Sequence, residues 1–585
     1  MRKILRDILI LVLLVVAVRV PFLNQAIGGD EPYYLAAAEH AQIDPWHPNH
    51  TSYIFQGREV TFRGFPHPPG NAWVLAALIA LFGDIKEIPF HAVYIFFSLL
   101  AVLSVYALGR RFSTHPLLAA LVFLAVPVFV INGNTLETDI PFTACALAGF
   151  AAYVWDRRIL AGIVLWCAGM ISPQAFILTP ILLFHDRKGF RAWLPAAAPV
   201  LALVAWQCFE KISTGRFPAE VTAGYLNSYN YNRLELKLRN ALALFLHSWF
   251  LIFPLLVPFA IIAGFRRKQW FLLGWIAVFL GVAMVLFYAG AARYVLPIAA
   301  PLAILASTLP VRFVAPAFAI QLALAVSLAT VNYQQWNANR DFVRSLPDSG
   351  GHRLWANAEW GLRFYAEERG ALPIEENQFV PTGDIVLTSD LGYPSEYNHS
   401  GRTLMRIAAK DVDSTVPLRL FGLDSSAGYA TAANGFLPFA IANGPIDRLH
   451  ADTLIERKPI YSWLEMNARE FDDHAASGIY RLEDNRYRWT AGTASFLLKP
   501  AAGKLTAEFT IHQDSPGRRV ELLLDGKSVA AMAFPGPGQY KLESPFLPLV
   551  NGSGVPVAIQ IDKTFSVPND SRKLGLILAG IGFRE

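Results

Sequence analysis

Two short acidic stretches and a scatter of basic residues carry the chemistry legible in this chain. The first reads Gly28-Gly29-Asp30-Glu31-Pro32-Tyr33-Tyr34, the second Asn134-Thr135-Leu136-Glu137-Thr138-Asp139-Ile140-Pro141. A carboxylate within hydrogen-bond reach of a hydroxyl serves as a general base, and basic groups nearby would hold an anionic substrate beside it. Between the two stretches lie Arg58-Glu59, Arg63 and His67-Pro68-Pro69, and much later comes Arg293-Tyr294-Val295-Leu296-Pro297. Each group also has a plainer reading. Asp30 suits the N-cap of a helix that starts at Glu31 or Pro32. Arg58 and Arg63 suit lipid headgroups, and Arg293 suits an anchor snorkelling from the end of an apolar helix. Two acidic turns with basic residues in the same loop favour a site.

The elements that must position these residues are apolar. The chain is 54% hydrophobic and 16% charged, with mean hydropathy +0.36, which is too apolar for an ordinary soluble protein. The net charge of +5 does not mark a nucleic-acid binder, because the basic residues punctuate apolar runs instead of forming a stripe. All three cysteines, Cys145, Cys167 and Cys208, lie in apolar segments, which excludes a disulfide-stapled or cysteine-zinc ectodomain. Met1 to Arg6 is basic and Ile8 to Val18 is apolar with no small-x-small site following at once, so the segment reads as an uncleaved first helix with its basic end in the cytoplasm.

A crossing takes ~20 residues, and Lys/Arg clusters mark cytoplasmic ends. The clusters Arg2/Lys3/Arg6, Arg110/Arg111, Arg157/Arg158, Arg187/Lys188/Arg191 and Arg266/Arg267/Lys268, with Arg312, predict spans near 8–23, 91–109, 116–132, 140–155, 159–171, 174–185, 192–209, 241–264, 270–289, 294–309 and 313–331. That is about eleven crossings, which puts the C-terminus outside. Residues 69–82 are too short to cross and read as a helix on the outer face, inside a long loop from Asn24 to Phe90. From Asn332 the charges are evenly spread: 332–372 reads as helical, and short β-type runs follow from Gly383. Strands are predicted at 494–498, 505–511, 520–524, 557–561 and 574–578. The expected domains are therefore a membrane part, 1–331, a mixed α/β region, 332–485, and a β-sandwich-like domain, 486–585.

The order of these features resembles the polyprenyl-phosphate-sugar-dependent glycosyltransferases of the C-type membrane (GT-C) fold, which include protein O-mannosyltransferases and the aminoarabinose transferase of lipid A. The matching items are Asp30-Glu31 with Tyr33 and Tyr34, the turn His67-Pro68-Pro69 where many relatives have Lys-Pro-Pro, the second acidic motif ending in Asp139, and Arg293-Tyr294 with Pro297. They cover residues 1–331.

The resemblance implies a polytopic α-helical membrane protein, embedded in the plasma (inner) membrane, with its α/β and β-sandwich-like region periplasmic or extracellular. It implies an enzyme that moves a sugar from a polyprenyl-phosphate donor to a hydroxyl of a lipid, glycan or protein acceptor, with inversion. Asp30 is then the general base. Arg58, Arg63, His67, Arg293 and Tyr294 would face the donor phosphate, and Glu31, Glu137 and Asp139 would orient the sugar or acceptor or help hold a divalent cation. Members of the fold differ in metal use, so no metal is assigned. His67 in place of lysine weakens phosphate binding if its imidazole is neutral. The alternative is a transporter or flippase of lipid-linked glycans, but transporters place polar residues near mid-membrane, and these predicted spans are nearly free of ionisable residues.

Overall fold

A computed structural model describes residues 2–64, 67–185, 190–228, 233–398, 402–456, 459–550, 554–567 and 572–585; Arg187 and Lys188 of the basic clusters lie outside them. The first part is helical. In chain order it holds α1 (Arg2–Arg19), α2 (Glu31–His40), the hairpin β1 (Ser52–Phe55) and β2 (Arg58–Thr61), α3 (Gly70–Phe82), α4 (Glu87–Phe112), α5 (Pro116–Leu124), α6 (Pro127–Asn132), α7 (Asp139–Val154) and α8 (Arg158–Ile171). There follow α9 (Leu178–His185), α10 (Phe190–Thr214), α11 (Pro218–Ser228), α12 (Leu234–Trp249), α13 (Leu256–Arg266), α14 (Trp270–Leu286), α15 (Ala299–Ala306) and α16 (Val311–Ser345).

Among the described residues three helices are long and apolar enough to cross a membrane by length and composition: Glu87–Phe112, Trp193–Thr214 and Val311–Ser345. Several other predicted spans are interrupted. The run 116–132 divides into α5 and α6 where Pro127 opens a new helix, and 241–264 divides into α12 and α13 around Pro254. In both cases a proline lacks the N–H that would continue the ladder and disfavours helix in the residue before it. Pro297 likewise sits in a 3₁₀ turn, Ala292–Ile298, ahead of α15. The short helix expected at 69–82 is present as α3, ending on Gly83 in the left-handed region.

Arg19, at the end of α1, is 1% exposed and pins α6 in place. Its guanidinium donates to the carbonyls of Phe129 at 2.8 Å and Val130 at 2.6 Å and to Ser98 Oγ at 3.1 Å. Gly133 makes room for it, since a Cβ there would lie 1.8 Å from Arg19 Nη2. This fixes the start of the turn that carries Glu137.

The region 332–372 is not one helix. The helix α16 runs 35 residues without a break through Val331 to Ser345. Then come β3 (Leu354–Asn357), α17 (Trp360–Glu368), β4 (Leu372–Pro373), β5 (Ile385–Ser389), β6 (Arg402–Val412) and β7 (Asp447–Glu456). Trp355 therefore lies in a strand, in a five-stranded sheet of order β4-β3-β5-β7-β6 in which β3 is parallel to β4 and β5 and the other pairs are antiparallel.

The last region is a nine-stranded antiparallel sheet from β8 (Trp463–Glu465), β9 (Ala475–Glu483), β10 (Tyr487–Leu498), β11 (Gly503–Ile511), β12 (Arg518–Leu524), β13 (Lys527–Phe534), β14 (Gly538–Leu547), β15 (Val555–Ile561) and β16 (Ile577–Arg584). Strands β8 and β9, which precede Arg486, pair with β16 and β10. The sheet encloses its own apolar core, which includes Phe496, Phe509, Leu522 and Val557. Strands β13 and β14 were not legible as strands because both present half-exposed faces with mixed residues.

The two halves are bonded together. Glu87 of α4 accepts from Arg340 Nη1 and from the Tyr365 hydroxyl, each at 2.6 Å, and the same hydroxyl accepts the Ile27 N–H at 2.7 Å. These contacts fix the segment leading to Asp30 against α16 and α17.

Candidate active site

The helix α2 begins at Glu31 with Pro32 in its first turn, where a proline N–H is not missed. Asp30 occupies the N-cap position, but its side chain makes no capping bond. Instead Asp30 Oδ2 accepts from Arg293 Nη2 at 2.5 Å, while Arg293 Nη1 donates to Glu137 Oε2 at 2.6 Å. The second Glu137 oxygen accepts the Asp30 backbone N–H at 3.2 Å. One arginine from the turn before α15 thus bridges both acidic motifs, and the anchor reading of Arg293 gives way to this ion pair.

Glu137, only 5% exposed, sits in the turn between α6 and α7. Burial pushes its carboxyl well above the usual range; Arg293 opposes this, and Asp30, Asp139 and Glu31 add to it. Asp139 opens α7 behind it, accepting from Asn132 Nδ2 at 3.3 Å. Asn132 Oδ1 in turn accepts the Tyr429 hydroxyl from the C-terminal region.

Glu31 points away from this group and is fully buried. Its oxygens accept the Gly28 N–H at 2.6 Å and the Leu136 N–H at 2.7 Å, so it clamps one acidic turn to the other. It holds the site together and does not face it.

Asp30, Glu137, Arg293, Tyr294 and His67 line a cavity of ≈ 410 Å³. Its walls come from α2 and the segment after it (Tyr33, Tyr53, Phe62), from α11 (Thr222, Tyr225) and from the C-terminal half (Trp336, Trp360, Tyr393, Phe421, Tyr429). Gly28 permits this closure, because a Cβ on it would lie 2.2 Å from the Trp336 ring. Tyr294 packs edge-on against Phe287 and Tyr288, at centroid distances of 5.2 and 6.4 Å.

The remaining basic residues expected at a phosphate lie elsewhere or are uncharged. Arg58 is in β2 on the outside, paired with Glu376 through bonds of 2.8 and 3.2 Å. Arg63 is exposed and does not line the cavity. Both belong to the loop that walls the cavity, but Arg58 leaves the hairpin toward Glu376 and Arg63 sits exposed in the 3₁₀ turn Phe62–Gly64 that follows it. His67 does line the cavity, but its Nδ1 meets Thr138 Oγ1 at 3.3 Å and its ring is also bonded to the Ile171 backbone. Burial, with Arg293 adding to it, lowers its pKa to about 4, so it is neutral at pH 7.

The hairpin is held by Glu359, which accepts the Gln56 N–H at 2.7 Å and the Tyr33 hydroxyl at 3.3 Å. Arg363 donates to Glu359 at 3.3 Å and lies 3.7 Å over the Tyr53 ring. Sequence reasoning missed this support and the aromatic roof, whose residues are separated from the acidic motifs by hundreds of positions.

The carboxylates Asp30, Glu137 and Asp139 are donors of the type a divalent cation takes. The guanidinium of Arg293, however, stands between the first two and occupies an oxygen of each. In this arrangement arginine supplies the positive charge, and the residues do not form a ready cation site.

Residues 66–206, which include His67 and the Glu137/Asp139 turn, match the family model of dolichyl-phosphate-mannose-protein mannosyltransferases. The family match and the motif resemblance name one class, the membrane glycosyltransferases of GT-C type. No curated protein matches the chain. Among solved structures, ArnT from Cupriavidus metallidurans bound to undecaprenyl phosphate is similar at 14% identity, over 65% of this chain and 93% of its own, with TM-score 0.48. The Archaeoglobus fulgidus oligosaccharyltransferase tethered with an acceptor peptide is similar at 10% identity, over 99% and 97%, with TM-score 0.44. The arabinofuranosyltransferase AftD from Mycobacteria is similar at 11% identity, over 98% and 60%, with TM-score 0.41.

Proposed function

We propose that the chain is a multi-pass membrane enzyme that transfers a sugar from a polyprenyl-phosphate carrier to an acceptor hydroxyl on the outer face of the membrane, with inversion at the anomeric carbon. The observation that carries this reading is Arg293 shared between Asp30 and Glu137 on the wall of an aromatic-roofed cavity. A phosphate entering the cavity competes for the guanidinium, since charge-assisted bonds to phosphate are strong in a water-poor site. As Arg293 turns to the phosphate, Asp30 is released to accept the proton of the acceptor hydroxyl. The hydroxyl oxygen bonds to the anomeric carbon, the carbon–oxygen bond to phosphate breaks, and Arg293 stabilises the charge left on the carrier.

Tyr294 flanks Arg293 and completes the phosphate side, while neutral His67 aligns Thr138. Glu137 keeps Arg293 oriented, and Asp139 steadies Asn132 behind it. Arg58 and Arg63 meet the surroundings of the hairpin. Trp336, Trp360 and Tyr393 supply flat apolar faces of the kind sugars stack on.

Washed membranes supplied with radiolabelled polyprenyl-phosphate sugars test the reading. The expected result is label passing to a lipid, glycan or protein fraction in wild type and not in Asp30→Asn. Full transfer by Asp30→Asn would remove the general-base role, and transport of intact carrier without sugar transfer would favour a flippase.

A further inference from the structure

A second group of chemically active side chains lies in the outer loop, apart from the cavity. Asp44, His47 and His50 follow α2 within seven positions, and their ligand atoms all lie within 4.8 Å of one another. Asp44 Oδ2 is 2.8 Å from His47 Nδ1, and the His47 ring stacks on the His50 ring at a centroid distance of 4.3 Å. The far side of His50 meets another element: its Nε2 is 2.8 Å from Glu210 Oε2, on α10. None of these four residues lines the cavity.

The burial of Glu210 points to a ligand. It is 4% exposed, and among the described residues neither it nor Asp44 makes an ion pair with a lysine or arginine. A buried carboxylate facing only an imidazole is costly unless a positive charge joins it. One carboxylate and two imidazoles whose ligand atoms lie this close are a donor set that borderline-soft divalent ions take, and Glu210 backs His50 as a carboxylate commonly backs a metal-bound histidine. Tetrahedral ligands stand roughly 3.3 Å apart around such an ion, so closing Asp44, His47 and His50 from within 4.8 Å asks for side-chain adjustments of about an ångström, with water free to take the fourth position. Asp44 and His47 are partly open, which leaves an ion a way in.

We propose that Asp44, His47 and His50 form a zinc-class metal site whose His50 is held by Glu210, so that the ion clips the outer loop to α10. The clip would act on structure, not on the reacting atoms. From α10 the chain turns into α11, whose Thr222 and Tyr225 wall the cavity, so the ion would hold that wall to the loop that follows Asp30.

The test uses the full chain in detergent, without a polyhistidine tag and stripped by chelator. Titration with Co²⁺ should develop the visible d–d bands of a four-coordinate ion at one equivalent, and Zn²⁺ should displace it. His50→Ala and Glu210→Gln should each weaken binding by more than about tenfold. Asp30→Asn should bind Co²⁺ as wild type does, which separates this site from the cavity. Zn²⁺ should raise the melting temperature of wild type but not of His50→Ala, each compared with its own value in chelator. Absence of the bands in wild type would overturn the proposal. So would unchanged binding in a folded His50→Ala or Glu210→Gln variant, or loss of binding in Asp30→Asn.

Discussion

Replacing Arg293 by methionine is the sharpest perturbation of the proposed chemistry. The change keeps much of the side chain's length but removes the cation that Asp30 and Glu137 share at 2.5 and 2.6 Å. Breaking a buried pair from one side costs about 3–5 kcal/mol when the remaining charge stays buried. Glu137 relieves part of this by taking a proton, toward which burial already inclines it. Loss of an oriented donor to the leaving group costs about 2.7–4 kcal/mol, or 10²–10³ in turnover.

Two effects are therefore superimposed, and a second substitution separates them. Arg293→Met with Glu137→Gln removes the stranded carboxylate, so the double variant should regain most of the stability lost by the single one. Transfer should not return, because neither change restores a cation for the phosphate. Melting temperature in detergent and label transfer from polyprenyl-phosphate sugar read the two quantities independently. A single variant that turns over within a few-fold of wild type, or a double variant that recovers transfer, would refute the role given to Arg293.

The other predictions follow from the same contacts. Asp30→Asn should lower transfer by about 10²–10⁴ with a melting temperature close to wild type, since Arg293 keeps Glu137. Glu31→Gln should lower stability by about 1–3 kcal/mol, because one of the two backbone N–H groups it accepts loses its partner; a calorimetric scan reads this. Glu359 is held at about 6 against 4.5 by burial, so the folded form binds its proton more tightly than the unfolded form. Stability should then fall by about 2 kcal/mol as pH rises from 4.5 to 6, a slope that Glu359→Gln removes in denaturant titrations. Tyr429→Phe, which loses the bond to Asn132 under the roof, should raise KM more than it lowers kcat in the transfer assay.

The acidic motifs were legible because a polar run at the mouth of an apolar helix stands out locally. Asp30, Glu137 and Arg293 do meet, and α3 is a separate short helix. What the sequence concealed is of two kinds. Proline-broken helices such as α5 and α6 read as one span because hydropathy averages over the break at Val126. The orientation of individual side chains is also invisible in a run of residue types. Glu31 and Asp30 are neighbours of like charge, yet one clamps backbone and the other faces the cavity. Arg58 looked like a phosphate ligand until its strand turned it toward Glu376. The terminal β-domain was legible from five of its strands, with the last displaced to Ile577–Arg584.

The unbroken helix α16 sets how this chain can be divided. Its 35 residues span about 52 Å at 1.5 Å each, far more than the ~30 Å of a bilayer core. The helix runs without a break from the apolar half into the half that bears the roof. A soluble fragment beginning at Asn332 would start within a helical turn. It would strip the cover from Gln335, Asn339 and Arg340, which are buried in the whole chain, and leave Trp336 without Gly28. Cutting after Ser345 removes all of these residues, among them Trp336 of the cavity wall and Arg340, the partner of Glu87. The C-terminal half is therefore not a detachable module, and ligand studies on it alone would lack part of the cavity.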